Sequence, residues 1–100
     1  MTTELEELRK RSEALFDRLG DSESLEVNAA ILDLAPADPA ATKRFAIGLL
    51  KHGQPVEALD VLEAGLRVHP EDSIMLSRKI EAEKAIARLA RTAGRRRHVR

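Results

Sequence analysis

The chain has 100 residues and no cysteine; that length holds one domain with a single core, and a disulfide scaffold, a thiol nucleophile and every thiolate metal site are excluded. Its 15 Ala and 14 Leu outnumber the 14 Val, Ile and Thr, and because Ala and Leu lose little side-chain entropy in a helix whereas β-branched residues suit strands, the expected class is all-α. Net charge is zero, but residues 1–38 carry ten acids and four bases, 39–87 seven of each, and 88–100 six Arg with no acid, so an acidic head is joined to a basic tail.

A first helix is predicted from Leu5, Leu8, Ser12, Leu15, Phe16 and Leu19, which recur at spacings of three and four and form one amphipathic stripe. Thr3 with Glu6 reads as a capping box, and Gly20 as a left-handed terminator. Asp21 or Ser22 caps a second helix bearing Leu25, Ala29, Ile31, Leu32 and Leu34, which stops before Pro36. Asp38 is a natural N-cap, and Pro39 suits the first helical position, where no amide donor is needed. The third helix carries Thr42, Phe45, Ala46, Leu49 and Leu50 and ends at His52-Gly53. Gln54-Pro55 opens a fourth, striped by Leu59, Leu62 and Leu66 and stopped by Pro70. Asp72 or Ser73 starts a fifth, running to about Ala93 with Met75, Leu76, Ile80, Ala82, Ile86 and Leu89, and Gly94 is expected to end it. A helical domain over 1–93 and a basic tail over 94–100 follow. No run of 18 apolar residues occurs, so no membrane span or membrane partner is expected. The first residues have neither the basic nor the apolar segment of a secretory signal, and the expected location is cytoplasmic.

The chain repeats itself. Residues 24–38 laid over 58–72 match at six of fifteen positions, namely Leu25/Leu59, Val27/Val61, Ala30/Ala64, Leu32/Leu66, Pro36/Pro70 and Asp38/Asp72. Chance would give roughly one match, and an offset of 34 combined with helix pairs is the period of tetratricopeptide arrays.

Residues 39–72 resemble one tetratricopeptide repeat: Thr42, Phe45-Ala46 and Leu49 lie on its first helix, Ala58, Leu62 and Gly65 on its second, and Pro70 follows. Residues 5–38 match through Leu8, Ser12, Leu15, Ser24 and Pro36, and residues 73–93 resemble the long helix that closes such arrays. The Trp and Tyr of the pattern are missing, and Asn28 stands where Leu62 stands one repeat later. The resemblance implies a short solenoid of helical hairpins, two pairs plus a capping helix. Small residues at Ala46 and Ala58 would let antiparallel helices approach, with Phe45, Leu49 and Leu62 filling the space between. Neighbouring pairs would stack to bury faces that no pair buries alone.

The resemblance also implies a concave face lined by the first helix of each pair. Glu6, Arg9 and Glu13 would line its first row, and Lys43, Ile47, Leu50 and Lys51 its second. Ile47 and Leu50 fall off the core stripe, which suggests an apolar centre within a basic rim; Lys43 could meet a peptide carboxylate, although the family's carboxylate-binding groove also wants Asn where Ile47 stands. His52, His69 and His98 have no metal-ligand spacing, and no phosphate loop, nucleophile elbow or acid–base pair is found. No enzyme activity, cofactor or metal is therefore expected, and Gly48 and Gly65 read as sites of close helix packing. The expected function is that of an adaptor binding a protein or peptide in the groove, with self-association through apolar surface left on the first or last helix. The alternative is a nucleic-acid- or ribosome-associated factor acting through Arg95, Arg96, Arg97 and Arg100. Only two aromatic residues are present, both placed in helical stripes, so no stacking platform for single strands is foreseen.

Overall fold

The structure, a computed structural model, describes residues 3–98, with side chains through residue 94. It consists of α1 (Glu4–Ala14), α2 (Ser22–Leu34), α3 (Pro39–Lys51), α4 (Pro55–Val68) and α5 (Ser73–His98), with one 3-10 turn at Phe16–Arg18 and no strand among the described residues. Each helix packs on the next along the chain, and α3 also touches α5.

The helix starts follow local chemistry. The Ala41 amide donates to Asp38 Oδ2 at 2.9 Å and the Met75 amide to Asp72 Oδ1 at 3.0 Å, so each Asp satisfies an amide that the first turn leaves open. Thr3 caps α1 through the Glu6 amide at 3.2 Å. The Glu6 carboxylate accepts from the Thr3 hydroxyl, so the reciprocal half of a capping box takes a different route. Asp21 sits at the N-cap of α2 without a side-chain hydrogen bond.

A second use of the two Asp caps marks the 34-residue period in three dimensions. Arg9 on α1 reaches Asp38 at 2.8 Å, and Lys43 on α3 reaches Asp72 at 3.0 Å. Arg9 and Lys43 stand 34 residues apart, as do their partners. Each first helix is thereby tied to the cap two helices later.

The core changes character along the stack. Between α3, α4 and α5, Ala46, Leu62 and Met75 form a fully buried cluster, with Ala58 also fully buried. One period earlier the positions of Ala46, Ala58 and Leu62 are held by Ser12, Ser24 and Asn28, also fully buried. Ser12 Oγ donates to Asn28 Oδ1 at 2.6 Å, and Asn28 Nδ2 donates to Ser24 Oγ at 3.2 Å. The substitution of a polar set for an apolar one is therefore complete, since a buried polar group must be matched. Leu15, Val27, Ile31 and Ala41 supply the apolar cluster on that side.

Three expectations are corrected here. The first helix does not run to Gly20: α1 ends at Ala14 and the chain tightens into a 3-10 turn that keeps Leu15 and Leu19 buried but turns Phe16 outward, 62% exposed. The cause is tertiary. A Cβ on Gly48 would lie 2.3 Å from the Leu19 carbonyl oxygen, so this segment lies directly on α3 and bends to do so. The left-handed terminator is Gly53, with φ 71°, and no other glycine has positive φ. Second, Gly94 does not end α5, which continues through it to His98, so the 93/94 boundary is not a helix end; the side chains of Arg95, Arg96 and Arg97, and Arg100 altogether, lie outside the described residues. Third, Phe45 is only partly buried whereas Leu62 is fully enclosed, so the aliphatic residue carries the packing between α3 and α4.

The Cα radius of gyration is 15.3 Å, above the ~13 Å of a compact 100-residue domain. The excess comes from α5, 26 residues against 14 in α4, which runs on past the start of α4. No described helix is long and apolar enough to cross a membrane.

Candidate functional site

Helices α1, α3 and α5 share one hollowed face. One depression, about 420 Å³, is walled by Phe16, Leu19, Ala40, Ile47 and Ile74, with Lys43, Arg44 and Arg78 around it. A smaller one of about 80 Å³ lies toward α1 beside Arg9, Ser12, Glu13 and Arg44. Toward α5 a third, about 200 Å³, is lined by Ile47, Leu50, Lys51, Arg78 and Glu81, and a fourth, about 430 Å³, by Leu50, Pro55, Ala85, Arg88 and Leu89.

Of the residues singled out by sequence, Arg9, Glu13, Lys43, Ile47, Leu50 and Lys51 line this face, and Ile47 and Leu50 each wall two of its depressions. Glu6 lines none of the four and instead accepts from Thr3 at the exposed start of α1. Lys43 is not a free cation for a peptide carboxylate, because its charge is held by Asp72, and Arg9 is held in the same way by Asp38. The Met75 amide on its carboxylate is the main reason that Asp72 titrates below the ordinary carboxylate value; burial opposes this and Lys43 adds to it.

Six residues that the sequence reading did not select for the groove complete the first depression: Phe16, Leu19, Ala40, Arg44, Ile74 and Arg78. The signal for three of them was present. Extending the 34-residue period into α5 places Ile74 over Ala40 and Arg78 over Arg44, on the groove side of the next first-type helix. The same period places Phe16 over Leu50, a groove candidate, although its stripe position pointed to the core.

Arg44 is set by its surroundings. Its Nη1 donates to Ser12 Oγ at 3.0 Å, and its guanidinium lies 5.5 Å from the centroid of the Phe16 ring, within cation–π range. The buried Ser12–Asn28–Ser24 chain thus ends on a groove arginine. Arg78 pairs with Glu81 at 2.8 Å, while Arg44 has no carboxylate partner among the described ion pairs. The depression thus has apolar walls and, among the described residues, one guanidinium without a carboxylate partner.

Two histidines serve as ties. His69 Nε2 donates to the Ala37 carbonyl at 2.8 Å, and the His52 ring contacts the Gly20 carbonyl. Among the described residues no group of three His, Asp or Glu is placed to hold a metal. No family model, no curated protein and no solved structure matches this chain.

Proposed function

We propose that the chain is a non-catalytic, cytoplasmic interaction module of tetratricopeptide-like architecture that binds a peptide or helix in the face built by α1, α3 and α5. The architectural part is supported by the 34-residue period, which recurs in the Asp caps, in their Arg9 and Lys43 partners and in the buried positions 12, 24 and 28 against 46, 58 and 62. The carrying observation is the depression walled by Phe16, Ile47 and Ile74 on three different elements, with Arg44 beside it and without a carboxylate partner among the described residues. A surface of this kind favours an apolar anchor side chain, which gains from desolvation, followed by a carboxylate that meets the guanidinium. Helix-in-groove recognition joins the two within one or two turns of the ligand.

The test compares pulldowns from native cytoplasm by the full chain, by the Ile47→Asp/Leu50→Asp double variant, by Phe16→Ala, and by a chain lacking residues 95–100. Phe16 is mostly exposed, so its truncation spares the fold, as circular dichroism will verify. The groove reading requires loss of the same partner in both groove variants and its retention in the truncated chain. Retention by the folded groove variants with loss on truncation would instead move the function to the Arg tail, acting on nucleic acid or an acidic partner.

A further inference from the structure

We propose that a second copy of this chain docks antiparallel along the outer flank of α5, about a two-fold axis between Glu83 and Lys84. Met75 and Ala82 of α5 are buried against the stack, and Arg78, Glu81, Ala85 and Leu89 border the groove. On the outer flank runs a stripe of Leu76, Ile80, Glu83, Ala87 and Ala90, all exposed, with Ile80 at its edge toward Glu81 and Arg88. Their spacing of four, three, four and three is the seam that lets one helix lie along another. Leu76 is 44% and Ile80 53% exposed, apolar area that nothing within the monomer covers.

The stripe is complementary to itself, which selects a second copy as its occupant. Bulky Leu76 and Ile80 occupy its first half, and small Ala87 and Ala90 its second. A two-fold between 83 and 84 places Ile80 over Ala87 of the other copy and Leu76 beside Ala90 and the aliphatic stem of Arg91, large against small at both ends. At the centre, Glu83 of each copy faces Lys84 of the other. Neither forms an ion pair among the described residues, so both charges are open to an isologous contact. A parallel arrangement would set Glu83 against Glu83 and Ile80 against Ile80. Pairing would also lay the part of α5 that runs past α4 along the other copy's Ser73–Ile80. That segment needs such support, since a helix of a few turns is marginal in water without tertiary contacts.

Sedimentation equilibrium of the full chain over a range of concentrations tests this, with circular dichroism confirming that each variant stays helical. Wild type should show a monomer–dimer equilibrium that Ile80→Glu abolishes. Glu83→Lys or Lys84→Glu alone sets like charges across the axis twice and should weaken the dimer about tenfold or more. The swap Glu83→Lys/Lys84→Glu restores opposite charges and should return affinity to within about threefold of wild type. Ile47→Asp/Leu50→Asp, on the groove side, should leave the dimer intact, so the two surfaces can fail separately. A wild-type monomer at all concentrations would overturn the proposal. So would a dimer indifferent to Ile80→Glu, or single charge variants that the swap fails to rescue.

Discussion

Replacing Asn28 by Leu asks whether the polar core of the first helix pair is an integrated unit. Asn28 accepts from Ser12 at 2.6 Å and donates to Ser24 at 3.2 Å, and all three residues are inaccessible to solvent. With both serines present, Asn28→Leu strands one hydroxyl donor and removes the donor to the other; each loss costs ~1–3 kcal/mol. Part returns when a helical serine turns to its own i−4 carbonyl, and part is offset by ~1–2 kcal/mol of added apolar burial. The expected net loss is therefore about 1–2 kcal/mol, a fall of roughly 1 M in urea midpoint. In a Ser12→Ala/Ser24→Ala background no hydroxyl is left to strand. The next pair holds Ala46, Ala58 and Leu62 at the same positions, so the backbone spacing suits a leucine, and the triple variant should at least match wild type. Arg44 loses its contact with Ser12 but keeps Phe16 and solvent. Urea unfolding followed by circular dichroism at 222 nm closes the cycle, with an expected coupling of about 2–4 kcal/mol between Asn28 and the serine pair. An equal effect of Asn28→Leu in both backgrounds would refute the claim that these groups depend on one another.

Gly48→Ala should destabilise by about 1–3 kcal/mol despite the better helix propensity of alanine, because the new Cβ meets the Leu19 carbonyl oxygen, main-chain density that moves only with the whole turn; a variant with a thermal midpoint at or above wild type would contradict that packing. For Asp72 the folded carboxyl titrates below its ordinary value, near 3.9 in the unfolded chain. Its contribution is therefore complete above about pH 4–5 and is lost as pH falls through the lower folded value. Urea midpoints from pH 7 to pH 2.5 should show a constant deficit in Asp72→Asn above that range and a shrinking one below it; a deficit independent of pH would remove the ion pair and the cap from the account.

Much of this molecule was legible in one dimension because the signals are local. Asp38-Pro39, Gln54-Pro55 and Pro70 set helix limits through backbone donors and fixed φ, which need no distant partner. The 34-residue offset placed Asp38 and Asp72, Ala46 and Ser12, Leu62 and Asn28 in equivalent roles before any contact was known. The all-helical class followed from composition, and helical phase set Ile47 and Leu50 off the core stripe, while a groove there was what the tetratricopeptide resemblance implied. What tertiary structure decided was where periodicity breaks. Phe16 belongs to an apolar stripe in sequence, yet the chain leaves the α-helix at Ala14 to lie on Gly48, and Phe16 turns outward while Leu15 and Leu19 stay buried. The resemblance offered Lys43 to a peptide carboxylate, but the fold brings Asp72 within 3.0 Å and uses up its charge. Gly94 signals a helix end, and α5 passes through it because glycine costs a helix only about 1 kcal/mol. Local rules act through neighbours three or four residues away, whereas exposure and charge pairing are set by segments some 30 residues distant, and these had to wait for the packed chain.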